Sequence, residues 1–304
     1  MRLLLTAALL LLAAPAGAET PGQDGHVRLD KASVAEFLDC MQTRKAALVT
    51  AHRGGVVGGL PENSMEAMAH TVAHIPTLLE VDVQRTKDGV LVLMHDDDVS
   101  RTTTGDGALK DLTWADVQGL ELTNHAGLKT GARVPSLDQA LAWAHGRAIL
   151  QLDVKRGVPF EEVVAAVRRA GAERQVTIIV YNIEDAVSVA ELDPVVSMNV
   201  NLGDAAALKS LLARGVDRRR ITAFTGVNRP DPAYWADLGR QGIPAGFAVL
   251  WRGDMEIATQ GDDARYARLA DDGADILVTD RHFEAFRALE KRQDSRAAIK
   301  ACAA

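Results

Sequence analysis

The chain of 304 residues contains no apolar run long enough to cross a bilayer. The longest, 3–14, is about twelve residues where a spanning helix needs roughly 20, so a stable membrane anchor is not expected. The formal charge is −7 and no basic stripe is clustered anywhere, which sets nucleic acid aside as a partner. Neither an internal repeat nor a low-complexity tract is present, and the length suits one large α/β domain as well as two small ones. Cysteine is nearly absent. Cys40 and Cys302 sit near opposite ends of the chain. They either pair, which export permits and a closed barrel would favour by bringing the ends together, or stand as two free thiols with the second on a frayed tail.

What is present begins with Met1-Arg2, the apolar run and then Pro15-Ala16-Gly17-Ala18. This is the pattern of a secretory signal peptide, with cleavage expected after Ala18 and the protein expected in the periplasm or secreted. Beyond it, short apolar runs alternate with helix-patterned stretches: 47–51, 78–83, 90–94, 148–154, 176–180, 195–200, 221–224, 246–250 and 275–279. Runs that are apolar throughout suit strands buried on both faces, and their alternation with helices predicts a parallel sheet. Nine runs are one too many for a (β/α)8 TIM-like barrel, and 221–224 and 246–250 are the expected extras. A polar insertion, about 96–146, follows the third strand, and Thr113 with Asp116 reads as a capping box within it. The barrel domain is expected over 19–292, followed by a mobile tail over 293–304.

Charged and titratable residues collect at the ends of these runs. The first leads into "AHRGG" and "PENSMEAM", which places His52, Arg53 and Glu62 close together and suggests Asn63 as the N-cap of the next helix. "LLEVDVQRT" puts Glu80 and Asp82 on one face of a strand, and "LQLDVK" does the same for Asp153 and Lys155. Two carboxylates on one face of an apolar strand are costly unless a cation lies between them. "LMHDDD" delivers His95 at a strand tip, while Lys87-Asp88-Gly89 reads as a hairpin turn. In a barrel these strand ends share the active-site face. Oxygen-only ligands, Glu62, Glu80, Asp82 and Asp153, favour a hard cation, Ca²⁺ or Mg²⁺, and two histidines beside it suit proton transfer around a phosphorus. The other six histidines read as surface or core residues. Trp143, Trp235 and Trp251 read as packing residues, Trp251 with the alternative of an aromatic wall that contacts substrate in the pocket.

The motifs HRG, PENS, E-x-D, HD and "RTTTGDG", dense from Ala51 to Gly107 and followed by "VPSLDQAL", "LDVK" and "ADILVTD", resemble the glycerophosphodiester phosphodiesterase family. The resemblance implies a barrel of the phosphatidylinositol-phospholipase-C type that cleaves a small phosphodiester to an alcohol and glycerol 3-phosphate with one divalent cation. It implies His52 and His95 as the acid and base pair, Glu62, Glu80 and Asp82 as metal ligands, and Arg53 and Lys155 as phosphate contacts. It also implies that the neighbouring glycerol hydroxyl attacks first, giving a cyclic phosphate that water opens.

Two positions depart from the family pattern. Asp153 stands where a glutamate is common, and "AHIPTLLEVDV" lacks the usual glycine before the E-x-D strand. The late segment after Ile221 also differs, which leaves two competing readings open: cleavage of a lysophospholipid or inositol diester, and a barrel that only binds a phosphorylated ligand or a partner.

Overall fold

The computed structural model describes residues 25–29 and 31–304; the expected leader and its cleavage site lie outside the described residues. Eleven strands form among them: β1 Leu48–Ala51, β2 Leu78–Arg85, β3 Leu91–Leu93, β4 Glu121–Thr123, β5 Lys129–Arg133, β6 Ile149–Val154, β7 Val176–Val180, β8 Ser197–Asn201, β9 Ile221–Val227, β10 Ala245–Val249 and β11 Ile276–Thr279. Eight of them, β2-β6-β7-β8-β9-β10-β11-β1 in spatial order, pair in parallel, and β1 pairs back onto β2. The sheet therefore closes into the expected (β/α)8 barrel. Every residue of β1, β6, β10 and β11 is buried, as the uninterrupted apolar runs require. No helix among the described residues is long and apolar enough to cross a membrane.

The supernumerary run is not one of the expected pair. Both 221–224 and 246–250 contribute parallel staves, β9 and β10, whereas 90–94 forms β3, which pairs antiparallel to the end of β2 with Val83 opposite Leu93. The reason is the connection. Only 86–90 separate β2 from β3, turning through Gly89 at φ +88°, and a parallel return needs a crossover of about a dozen residues or more. Apolarity does not distinguish these runs; the length of chain between them does.

The insertion after this third strand is a lobe with its own core. Val92, Met94, Val99, Leu109, Val117, Leu122, Ala132 and Val134 pack together around the β4-β5 hairpin. Thr113 and Asp116 form the predicted reciprocal cap of the short helix Trp114–Val117. The lobe ends earlier than expected, since helix Leu137–Ala144 buries Leu137, Ala140 and Leu141 in the main barrel core. Amphipathic spacing inside a polar stretch marks this helix as a barrel crossover.

The expected mobile tail is also overturned. Helix Ser295–Ala303 follows helix His282–Gln293 after a single left-handed residue, Asp294, and buries Ile299 and Cys302. Cys302 is joined to Cys40 on helix Val34–Thr43, with Cα atoms 5.6 Å apart. Barrel closure brings the two ends of the chain together, so a bridge spanning 262 residues needs no reach. Reduction, or Cys302→Ser, is expected to cost about 2–4 kcal/mol of stability. Thermal melts with and without reductant test this, and identical melting points would show that the bridge is not formed or not stabilising.

Candidate active site

Beyond β1 the chain turns sharply through Arg53, Gly54 and Gly55, all at positive φ. A Cβ at Gly55 would lie 2.1 Å from Thr71 Oγ1, so only glycine lets this turn lie against helix Met65–His74. The turn aims His52 into a cavity of about 270 Å³ at the C-terminal mouth of the barrel. His52 Nδ1–H donates to Asp280 Oδ1 at 2.7 Å, Asp280 being the residue that follows β11. Burial opposes protonation of this imidazole, but the Asp280 hydrogen bond and the charges of Glu80 and Asp280 outweigh it and raise the pKa above its ordinary value.

His95, two residues beyond β3, reaches the same cavity with Nδ1 at 2.6 Å from Asp96 Oδ1. Both imidazoles thus have Nδ1 engaged by a carboxylate, which leaves Nε2 for chemistry. Asp96 is itself gripped by Arg101 through a very short contact, and that hydrogen bond, working against burial, holds its carboxyl down to about 2.

Three carboxylates converge between β2 and β6. Asp82 lies opposite Asp153, and Glu80 opposite Gln151, in the strand register. Carboxylate oxygens of Glu80, Asp82 and Asp153 all lie within 4.8 Å of one another, and the three side chains are buried. Desolvation, with the charges of Asp82 and Asp153 beside it, pushes Glu80 up to about 8. Asp82 goes the other way. Burial would raise it, but Lys155 and Asn63 keep it below the usual carboxylate range. Lys155 Nζ stands 2.5 Å from both Asp82 Oδ1 and Asp153 Oδ2, and Tyr181 O–H donates to Asp153 Oδ1 at 2.6 Å. An oxygen-only trio with an elevated carboxyl is what a hard divalent cation fits.

Glu62, expected among the ligands, is not in this group. Arg53 Nη1 donates to it at 2.9 Å, and Arg101 donates through Nη1 and Nη2 at 2.9 and 2.8 Å, so its charge is already met by two guanidiniums. Those contacts hold its pKa low against the opposing effect of burial. Asn63 is not the N-cap either. Ser64 caps helix Met65–His74, while Asn63, at φ +54°, donates from Nδ2 to Asp82 Oδ2 at 2.6 Å and accepts from Asp82 N–H at 2.9 Å. Arg53 also donates its backbone N–H to Glu80 Oε2 at 2.8 Å.

The opposite wall of the cavity is apolar, formed by Phe224, Val227, Leu250, Trp251 and Val278. Trp251 is 60% exposed and edge-on to His52, with ring centroids 6.5 Å apart. None of the other six histidines lines the cavity. Sequence reasoning missed Asp280, Tyr181 and Arg101. Asp280 was visible only as the last residue of "ADILVTD", and Arg101 only within "RTTTGDG", where the threonines shape the loop: Thr103 Oγ1 donates to Val99 carbonyl oxygen at 2.8 Å.

A model of the glycerophosphoryl diester phosphodiesterase family matches residues 52–211. A glycerophosphodiester phosphodiesterase of Caldanaerobacter subterraneus subsp. tengcongensis is 33% identical over 142 residues, 44% of this chain and 58% of that protein. The match thus spans little more than half the length of that relative. A crystal structure of a glycerophosphoryl diester phosphodiesterase from Parabacteroides distasonis superposes with a TM-score of 0.80 at 29% identity, covering 88% of this chain and 94% of that one. An Oleispira antarctica phosphodiesterase, solved in complex with the product sn-glycerol-3-phosphate, shares the fold at 21% identity and a TM-score of 0.64, covering 85% of this chain and 99% of that one.

Because the pKa of His52 is raised in the folded state, its contribution to stability is complete below the ordinary value of 6.5 and is lost as pH rises through the raised value. Asp280→Asn should therefore shift the titration of the His52 imidazole, followed by NMR, to lower pH. An unchanged titration would remove Asp280 as the cause.

Proposed function

This chain belongs to the glycerophosphoryl diester phosphodiesterase family, and on that footing we propose that it hydrolyses glycerophosphodiesters to an alcohol and glycerol 3-phosphate by acid and base catalysis from His52 and His95. The observation that carries this reading is the pairing of two carboxylate-anchored imidazoles with the Glu80, Asp82 and Asp153 trio in one cavity. The trio would hold one divalent cation, Ca²⁺ or Mg²⁺, which when bound supplies neutralisation of a non-bridging phosphate oxygen.

The chain's own groups do the proton work. As the P–O bond to the leaving alcohol breaks, that oxygen takes a proton from Nε2 of His52, whose raised pKa favours the charged, donating form. His95 Nε2 takes the proton of the attacking oxygen, which by family resemblance is the neighbouring glycerol hydroxyl. When water then opens the cyclic phosphate the roles reverse, with the now neutral His52 taking the proton of the water and the protonated His95 returning one to the glycerol oxygen as its bond to phosphorus breaks. Asp280 and Asp96 fix the orientation of the two rings. Arg53 and Lys155 keep positive charge at the cavity where the phosphate binds, while their present partners are carboxylates.

The apolar wall, with Trp251 and the 68% exposed Met255 nearby in the chain, favours a second reading in which an acyl chain is tolerated and the substrate is a lysophospholipid. The signal-like leader and the Cys40–Cys302 bridge support an exported protein, periplasmic or secreted.

Release of glycerol 3-phosphate from a panel of diesters, with Ca²⁺, Mg²⁺ or chelator, tests the reaction. His52→Ala and His95→Ala should each lower turnover by about 10²–10⁴-fold with the fold intact. Near-normal turnover in either variant removes that histidine, and full turnover in excess chelator removes the cation.

A second readout does not depend on activity. Glu80 is raised from 4.5 to about 8, so the cation-free protein should lose stability as pH rises from near 4.5 to 8. A divalent cation should raise the melting temperature more at pH 8 than at pH 5. Equal effects at both pH values would separate the trio from cation binding.

A further inference from the structure

Beneath the charged rim, the barrel interior is polar where barrels are ordinarily filled with branched apolar side chains. Side chains alternate along a strand, so on β6 Gln151 points the same way as Asp153, and on β8 Asn199 points the same way as Asn201. Asn201 is exposed at the mouth, whereas Gln151 and Asn199, two residues closer to the N-terminal ends of their strands, are 1% and 4% exposed. Both line the active-site cavity. Neither Gln151 Oε1 nor Asn199 Oδ1 has a hydrogen-bond partner within the protein, and Thr177 Oγ1, in register with Gln151 on β7, shares that state.

Beside Asn199 a glycine leaves room for one methyl group. On β10 the neighbouring position is Gly246, where a Cβ would stand 3.8 Å from Asn199 Oδ1 and 3.5 Å from the methyl of Thr222. Unpaired buried amides are a net penalty to folding, and leucine or methionine in their places would remove it. Their cost is offset when groups entering the cavity, a ligand hydroxyl among them, bring hydrogen bonds to this depth. An amide is neutral and both donates and accepts, which matches a hydroxyl and not a phosphate oxygen.

We propose that Gln151 and Asn199 form a floor that binds the distal hydroxyl of the glycerol arm, the one not adjacent to the phosphoester, and so selects a deacylated glycerol over an acylated one. This rests on the phosphodiesterase reading above and narrows it. The phosphate lies at the level of Asp82, Asp153 and the imidazoles, and the glycerol arm descends past Glu80 towards the amides. A lysophospholipid esterified at the distal oxygen has no hydroxyl to offer the floor. A site that hydrogen-bonds a substrate hydroxyl discriminates strongly against the analogue lacking it, because its own buried groups are then left unpaired.

The test compares glycerophosphocholine with the phosphocholine diester of propane-1,2-diol, which lacks only the distal hydroxyl and keeps the adjacent one. Wild-type protein should prefer the glycerol diester by about a hundredfold or more in kcat/KM. In Gln151→Met and Asn199→Leu that preference should shrink at least tenfold, with the loss on the glycerol diester and not on its deoxy analogue. Gly246→Ala leaves both amides in place and only fills the space before Asn199; it should raise KM for the glycerol diester selectively.

Calorimetric binding of sn-glycerol 3-phosphate and its deoxy analogue provides a readout without turnover. Equal losses on both compounds, or a preference unchanged in all three variants, would overturn the floor while leaving the phosphodiesterase reading intact. A wild-type protein that hydrolyses neither diester, yet binds the glycerol phosphate with a preference that the variants erase, would keep the floor and overturn the reaction.

Discussion

Three carboxylates crowded within 4.8 Å at the rim of a barrel repel one another in a poorly solvated place, and most of the surrounding structure answers that repulsion. Lys155 bridges Asp82 and Asp153, Tyr181 donates to Asp153, and Asn63 takes a left-handed backbone conformation to present both ends of its amide to Asp82. Glu80 receives one backbone N–H, from Arg53, and responds by holding its proton to about pH 8. The same electrostatics explain why Arg53 and Lys155, which the sequence placed on a phosphate, are found on carboxylates. Cations drawn towards this negative cluster also stand where the proposed anionic substrate would need them.

Around that centre the fold assembles parts from distant stretches of chain. Barrel closure sets Asp280, after the last strand, against His52, after the first, because β1 and β11 are neighbours with Ala51 opposite Thr279. The inserted lobe contributes His95 and Arg101 from a segment that is not barrel at all. Its separate core makes it rigid enough to hold an imidazole and a guanidinium in place. Arg101 then ties the lobe to the barrel through Glu62, so a residue that looked like a metal ligand is instead a fastening between two packed units.

The parts legible in the sequence were those that depend on local pattern. Apolar runs named the staves, spacing by two put Glu80 with Asp82 and Asp153 with Lys155, and the capping pair Thr113 and Asp116 formed as read. The misreadings of Glu62 and of the C-terminal segment share one cause, which is that the deciding contact lay far along the chain. Glu62 was misjudged because Arg101, 39 residues away, could not be placed beside it. The C-terminal segment was read as a tail because neither its docking site on helix Val34–Thr43 nor its bridge to Cys40 is visible locally. The misassigned extra run, 90–94, is different, since the five residues between β2 and β3 were in view and already forbade a parallel return.

What the sequence by itself determined is the alternation of buried strands and helices, and with it the barrel and the end of the barrel at which its charges gather. Period-two alternation and the rule that parallel strands need long crossovers act residue by residue. Tertiary structure alone decided which of those charges meet. Coulomb energy depends on distances of a few ångströms and on burial, and both are set by closure of the sheet and by the docking of the inserted lobe. Thus Glu80, Asp82 and Asp153 became a cluster, Glu62 became an ion-pair hub, and Asp280 became the partner of His52.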